Sequence, residues 1–246
     1  MNRRAVSMAL AALAAALAGC GQKEPAATEP ADTAAVVAPE PAAETQAHGD
    51  IGSQPLPLRL AFMSGHVEAG LALYKAGAPE MAAKHLLHPV SESYAEEREG
   101  LDALGFDPAL FETVSSALEA GQTADDIAAQ LAAAEAHLAD IADRAGGDAA
   151  EIIAFLMDTV IDEYGEGVAD GVVVNAGEYQ DAFGFTVVAI QRVPGLPEAQ
   201  QGPVLEALEA LLGLWPEAPL PPELASPVAD VNKAAEAVAA LVTASP

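Results

Sequence analysis

The sequence predicts an all-α protein, a helical bundle built from antiparallel hairpins. Apolar residues recur at intervals of three and four along most of the chain after residue 55, which is the spacing of one helix face. Runs of alternating β-branched residues are nearly absent apart from residues 172–174. Because the links between consecutive helices are short, we expect antiparallel neighbours and therefore a bundle.

Helix boundaries are indicated by local start and stop signals. Glycine ends helices and proline or a capping side chain begins them, as at Gly77 and Pro79, Asp107 and Pro108, Thr123 and Asp126, and Gly146, Gly147 and Asp148. These signals place helices at about 56–75, 79–87, 89–104, 108–120, 123–145, 148–168, 175–193, 198–213 and 227–244. Residues 215–227 contain too many prolines for a helix, so we expect an extended strap there.

The first twenty residues have the pattern of a lipoprotein signal. Arg3 and Arg4 precede an apolar run that ends in Leu-Ala-Gly directly before Cys20, the only cysteine of the chain. We therefore expect residues 1–19 to be a signal peptide and Cys20 to carry the lipid, in a bacterial cell envelope. The residue after Cys20 is Gly21 and not the aspartate of inner-membrane retention, which favours the outer membrane with the protein facing the periplasm.

Residues 20–54 are rich in Ala, Pro, Glu and Thr and contain almost no large apolar side chain. Such a segment cannot bury enough surface to offset the entropy of ordering, so we predict a disordered tether. Residues 55–246 have the size and apolar content of a single all-α domain. The formal net charge of −27 disfavours nucleic acid as a partner.

Three of the five histidines lie in one predicted hairpin, in the stretch GHVEAGLALYKAGAPEMAAKHLLHP at residues 65–89. The hairpin turns near residues 76–78, and residues equidistant from a turn lie side by side on its two helices. His66 stands about ten residues before the turn, and His85 and His88 stand about ten after it. We therefore expect the three imidazoles at one level of the hairpin, with Glu92 near the same end.

Converging imidazoles and a carboxylate suit a borderline transition metal, which requires nitrogen and oxygen donors at about 2.0 to 2.2 Å. The sequence thus predicts His66, His85, His88 and Glu92 as metal ligands, with packing and helix-dipole roles for the histidines as the alternative. Met63 and Met81 precede His66 and His85 by three and four residues, a mixture that would suit copper(I). Methionine beside apolar neighbours more often fills a core, and we favour that interpretation.

A second predicted hairpin, over residues 152–193, carries carboxylates on both sides of its turn at residues 170–171. Glu178 and Asp181 lie early in a helix, where the dipole favours acidic side chains, whereas Glu163 lies late in the preceding one. We predict Glu163, Glu178 and Asp181 as a second set of metal ligands. If the two sets meet, the site would resemble a di-iron bundle, but the paired Glu-x-x-His signature of those enzymes is missing.

The stretch EYGEGVADGVVVNAGEYQDAFGF at residues 163–185 resembles the helical periplasmic module associated with the bacterial high-affinity iron permease family. The matching positions are Glu163 and Tyr164 before an Asp-Gly turn, and Glu178 and Tyr179 after it. The family's Arg-Glu-Gly-x-Glu transport signature is absent, so the resemblance implies the helical module alone. The quartet at residues 65–68 also partly resembles the Gly-x-His-x-x-Glu motif of imelysin-type iron-associated lipoproteins, whose spacing it misses at both ends.

These observations lead to one functional hypothesis and one alternative. We expect an envelope lipoprotein that binds a transition-metal ion, iron first and copper or zinc as alternatives, for capture or handling in metal uptake, with an iron-uptake envelope protein as partner. The alternative is a structural lipoprotein that presents a helical surface to an envelope partner without metal. An enzyme is not expected, since the sequence contains neither a Gly-x-Ser-x-Gly elbow nor a phosphate-binding loop.

Overall fold

A computed structural model describes residues 51–87 and 99–244, all within one compact unit. Over these ranges the chain forms eight α-helices: α1 Leu56–Lys75, α2 Pro79–Leu87, α3 Pro108–Glu119, α4 Ala128–Ala145, α5 Ala149–Gly167, α6 Ala176–Arg192, α7 Glu198–Leu212 and α8 Val228–Thr243. Two short strands, β1 Val168–Ala169 and β2 Val172–Val173, form an antiparallel hairpin. None of the described helices combines the length and apolar character that a membrane span requires.

The all-α prediction is confirmed, and seven predicted helices agree with the structure to within one residue at each end. The agreement follows from capping chemistry. Asp107, Asp148 and Asn175 each accept a hydrogen bond from a backbone N–H in the first turn of the next helix. Because these side chains satisfy amides that have no partner inside the helix, each helix begins where its capping residue stands.

Two predicted elements differ from the structure. The hydrogen bonds between Thr123 and Asp126, which indicate a helix start in the sequence, close a separate turn, and α4 begins only at Ala128. The predicted helix over residues 89–104 lies mostly outside the described residues. Its described end is a turn at Glu99 and Gly100 and a 3-10 helix over Asp102–Leu104, since Gly100 has a φ of 90°.

The turn between α1 and α2 brings these two helices side by side. Gly77 has a left-handed φ of 78°, and the amide of Ala78 donates to the carbonyl oxygen of Leu73 at 3.0 Å, which is the closing bond of a Schellman motif. Pro79 then begins α2. This turn sets the level at which residues of the two helices meet.

The link between α5 and α6 is the β-hairpin, with Val168 paired to Val173 and Ala169 to Val172. Asp170 and Gly171 both have positive φ, at 51° and 76°, which is the conformation of a two-residue type I′ turn. The Asp-Gly turn predicted from the sequence is therefore present. It holds α5 and α6 as antiparallel neighbours.

Helices α5, α6, α7 and α8 pack in a ring as a four-helix bundle, and α1 lies against the outer side of α6. Two apolar cores result. The bundle core lies among α5, α6, α7 and α8 and includes Leu58, Ala61 and Phe62 of α1. The N-terminal core lies among α1, α2, α3 and α4 and includes Met63 and Val67 of α1. Helix α1 is thus buried on most of its circumference and joins the two cores.

Residues 215–227 contain no helix or strand, in agreement with the predicted interruption, although residues 216–219 form turns. Their ends are fixed to the bundle. The indole N–H of Trp215 donates to the carbonyl oxygen of Tyr179 at 3.1 Å, and the hydroxyl of Tyr164 donates to the carbonyl oxygen of Ser226 at 2.9 Å. The segment therefore closes the end of the bundle that carries the β-hairpin.

Candidate metal centre

The crossing of α1 over α6 is made by two glycines. A Cβ atom built on Gly184 would lie 2.0 Å from the carbonyl oxygen of Gly65, and one on Gly65 would lie 2.0 Å from the ring of Phe185. A larger residue at position 184 would force the two helices apart, and one at position 65 would have to displace the Phe185 ring. His66 follows Gly65, and Asp181 lies one helical turn before Gly184, so the contact of the two helices brings these side chains together.

The approach of α2 to α1 depends on Gly70 in the same way. A Cβ atom at this position would lie 2.7 Å from Leu86 and 3.0 Å from the Cβ atom of His85. The small residue lets α2 pack closely, and the His85 side chain is directed toward α6, where it contacts Asp181. Three helices therefore supply one side chain each to a common point.

At this point Asp181 lies between the two imidazoles. Its Oδ1 atom is 2.7 Å from Nδ1 of His66 and 2.8 Å from Nδ1 of His85. The three side chains are 4%, 5% and 3% exposed for His66, His85 and Asp181, respectively. Their donor atoms lie within 4.8 Å of one another, and no other group of three or more His, Cys, Asp or Glu donors meets that distance in the parts of the chain that the structure describes.

Electrostatic interactions within the cluster shift the pKa values of its members. Burial raises the pKa of Asp181, but the charges and hydrogen bonds of His66 and His85 lower it more, so that the pKa lies well below its ordinary value. Burial lowers the pKa of the His85 imidazole, whereas the charge and hydrogen bond of Asp181 raise it, with the net result above 6.5. These shifts favour a negatively charged Asp181 and a protonated His85, so a metal ion at this imidazole would compete with a proton.

The surroundings of the cluster hold the imidazoles in place. The rings of Phe62 and Phe185 contact the ring of His66 edge-on, with centroids 4.7 Å and 5.2 Å from it. Gln180 places its Oε1 atom 3.0 Å from Nε2 of His85. The cluster is thus enclosed by aromatic rings on one side and by an amide on another.

The structure unites one member of the second predicted set with two members of the first. Glu163 is fully buried in α5, and Glu178 is buried in the first turn of α6, where its carboxylate accepts a hydrogen bond from the Asn175 amide at 3.3 Å. Neither belongs to the group formed by His66, His85 and Asp181. Glu163 and Glu178 therefore stay predicted ligands, and both side chains are buried.

Three further predicted residues lie outside the described residues. Cys20 belongs to residues 1–50, and His88 and Glu92 belong to residues 88–98. The lipid anchor, these two ligands and the tether over residues 20–50 therefore stay predictions, whereas residues 51–53, which were predicted as part of the tether, form a 3-10 helix.

The two methionines differ in burial and contacts. Met63 is fully buried in the N-terminal core, as the packing interpretation expects. Met81 is 41% exposed, and its sulfur accepts a hydrogen bond from Nε2 of Gln180 at 3.3 Å.

Sequence reasoning missed Gln180 because a single glutamine on a helix has no spacing pattern. The helix-interior glycines Gly65 and Gly184 were a usable signal, since such residues often mark a close helix contact.

The structure also contains a cleft that is lined by other residues than the three clustered side chains. A cleft of about 480 Å³ runs between α1, α4 and the end of α6, with Glu68, Asp143 and Arg192 in its lining. Burial raises the pKa of Glu68, whose carboxylate accepts a hydrogen bond from Gln191 at 2.9 Å. Metal ions require converging donors more than space, so the cluster of His66, His85 and Asp181 is the candidate metal centre and the cleft is not.

Comparison with known proteins agrees with the fold. Residues 147–245 match the family described as the iron permease-associated 4-helix bundle domain, and the matched segment contains α5, α6, α7 and α8. The resemblance inferred from residues 163–185 is thereby confirmed over this part of the chain. No curated protein and no solved structure matches. Of the three clustered side chains, only Asp181 lies inside the matched segment, whereas His66 and His85 come from helices that precede it.

Proposed function

We propose that this chain binds a transition-metal ion, with iron favoured, and serves in its capture or handling during metal uptake. The observation that carries the proposal is the convergence of His66, His85 and Asp181 within 4.8 Å. The name of the matched family, which refers to iron permeases, supports iron uptake as the context. Binding without catalysis is proposed, in keeping with the absence of nucleophile and phosphate-loop motifs from the sequence.

The donor set fits a divalent ion of the later first transition series. Two imidazole nitrogens and one carboxylate oxygen are the donors that iron(II) and zinc share, and with open positions they are typical of non-haem iron(II). Donors at about 2.1 Å from one ion lie roughly 3.0 to 3.4 Å apart. The two histidine–aspartate separations of 2.7 Å and 2.8 Å lie close to these values. Copper(I) is less favoured, because Met63 lies in the N-terminal core and the sulfur of Met81 accepts a hydrogen bond from Gln180.

Envelope location and partners belong to the same proposal. A lipid on Cys20 would anchor the chain to a bacterial membrane, with the outer membrane favoured, and residues 20–54 would tether the domain in the periplasm. The net charge of −27 would attract cations and disfavour nucleic acid. An iron-uptake protein of the envelope is the proposed partner.

The experiment is a calorimetric titration of the chain from Gly52 onward with iron(II), copper(I) and zinc, together with metal analysis of the purified protein. We expect one ion per chain for iron(II) or zinc, with weaker binding at lower pH because the metal ion competes with a proton for His85, whose pKa Asp181 raises. Binding no tighter than millimolar for all three ions would refute the proposal and leave the histidines as packing residues.

One observation favours the alternative of a structural lipoprotein. Three apolar side chains at the hairpin end of the bundle, Val172, Val174 and Leu224, are 53%, 63% and 70% exposed. Exposed apolar side chains that lie close together are typical of contact surfaces. If the titration fails, we would test by cross-linking in the cell whether replacing these three residues by serine abolishes contact with an envelope partner protein.

A further inference from the structure

The amide of Gln180 bridges the candidate metal centre and Met81. Gln180 is 2% exposed, with Oε1 at 3.0 Å from Nε2 of His85 and Nε2 at 3.3 Å from the sulfur of Met81. The three side chains form a chain of hydrogen bonds that ends on one of the imidazoles of the cluster. Neither end of the amide faces open solvent.

Met81 fixes which way round the amide lies. A thioether sulfur accepts hydrogen bonds but cannot donate them, so the group that faces Met81 has to be the NH₂ of Gln180. The opposite orientation would set the amide oxygen against the sulfur and the NH₂ against the His85 ring. The acceptor Oε1 is therefore the atom presented to His85.

The orientation of the amide in turn fixes the proton on His85. Because Oε1 can only accept, Nε2 of His85 has to keep its hydrogen in order to donate to it. The nitrogen left to exchange its proton for a metal ion is Nδ1, which lies 2.8 Å from Asp181. In metal sites the partner of the second imidazole nitrogen commonly orients the ligand in this way.

We propose that Gln180, held by Met81, is a positioning residue that keeps the proton on Nε2 of His85 and so selects Nδ1 as the metal-binding nitrogen. This inference rests on the proposed metal-binding function. It assigns Met81 a role through Gln180 in place of direct ligation. It also predicts that the sulfur of Met81 does not increase the affinity of the site for soft metal ions.

The test uses zinc as the probe and the unsubstituted chain with three variants: Gln180→Glu, Gln180→Leu and Met81→Leu. Zinc affinity is measured by competition with a chromophoric chelator, and the protonation of each His85 ring nitrogen is read from long-range ¹H–¹⁵N spectra of the zinc-loaded protein. We expect zinc on Nδ1 and a hydrogen on Nε2 in the unsubstituted chain. Gln180→Glu retains an acceptor and should keep this pattern with affinity within about tenfold.

Gln180→Leu removes the acceptor and should weaken zinc binding about 10- to 100-fold, with loss of the single pattern of ring signals. Met81→Leu alters a half-exposed side chain and should produce a mixture of the two His85 patterns, which keeps the test available if leucine at position 180 prevents folding. Zinc bound through Nε2, or an unchanged spectrum and affinity in Gln180→Leu, overturns this inference and leaves the proposed function standing. Absence of zinc binding by the unsubstituted chain overturns the proposed function itself.

Discussion

Asp181 is the residue on which the two histidines depend. It is the only anion whose oxygen lies within hydrogen-bond distance of both imidazoles among the described residues. A buried carboxylate between two imidazoles is costly when its partners are removed, because its charge then lacks solvent and counter-ion. The same carboxylate would become a metal ligand once an ion replaced the imidazole protons, so one residue serves both states.

The first prediction concerns the histidines. His66→Ala or His85→Ala should reduce affinity for the bound ion by at least about a hundredfold, because each removes one of the three donors of the described cluster. His137→Ala is the matched control. His137 is half-buried beside Phe106 and Phe111, and it accepts the amide hydrogen of Asp107 through Nε2. Its loss should cost stability of about 1 kcal/mol and leave affinity unchanged, as measured by calorimetric titration and urea unfolding. Equal losses of affinity in all three variants would refute the site assignment.

The second prediction concerns the pH dependence of stability without metal. The pKa of Asp181 is lowered by folding, so its contribution is present above the unfolded value near 3.8 and is lost as pH falls. The pKa of His85 is raised by folding, so its contribution is complete below 6.5 and is lost as pH rises. Asp181→Asn should therefore destabilise most between these two values, by about 3 to 5 kcal/mol.

Urea unfolding of both proteins from pH 3 to pH 9 in the presence of a chelator measures this difference. It should form a plateau between about pH 4 and 6.5 and decline on both sides. A difference that grows steadily toward pH 9 would contradict the ion pair.

The contact of α1 with α6 is the element on which the site depends most. Gly184→Ala adds a methyl group where a Cβ would lie 2.0 Å from a backbone oxygen, so the helices have to separate. We predict that this variant is less stable by about 1 to 3 kcal/mol, as measured by urea unfolding, and that it binds metal more weakly, as measured by titration. Gly165→Ala in α5 is the control, since nothing lies within 4 Å of its Cβ position. It should stabilise the protein by about 0.5 to 1 kcal/mol. A stable Gly184→Ala variant with full affinity would show that the close contact is unimportant.

Helix ends could be predicted from the sequence because neighbouring residues determine them. The ligands of the candidate metal centre could be predicted only in part. Proline at position 79 and the capping residues Asp148 and Asn175 set helix ends from neighbouring atoms alone. The level of His66 and His85 followed from their distance to the turn at Gly77. That Asp181 joins them, whereas Glu163 and Glu178 do not, depends on which faces of α1 and α6 meet. Side-chain periodicity does not determine that pairing, because α1 is apolar on nearly every face.

Over the whole molecule, the cluster joins two parts that have separate cores. His66 and His85 belong to helices that contribute to the N-terminal core, whereas Asp181 belongs to the bundle that matches the iron permease-associated family. An ion bound by all three would hold α1 and α2 against α6 and stabilise the folded state by mass action. His66 and His85 lie outside the segment that matches the family, so the match carries no information about their role.

Hydrogen exchange with and without zinc tests this arrangement at the scale of the molecule. We predict that zinc slows amide exchange most in α1, α2 and the first half of α6, because opening this region would break the metal bonds. Amides of α7 and α8, which supply no ligand, should change less. Protection concentrated in α7 and α8 would show that the ion binds elsewhere.

Crystals of the chain grown with iron(II) would locate the ion directly, using anomalous scattering measured on both sides of the iron absorption edge. We predict one strong peak about 2.0 to 2.2 Å from Nδ1 of His66, Nδ1 of His85 and a carboxylate oxygen of Asp181. A peak at Glu163 and Glu178, or peaks only among the exposed carboxylates of this acidic surface, would contradict it.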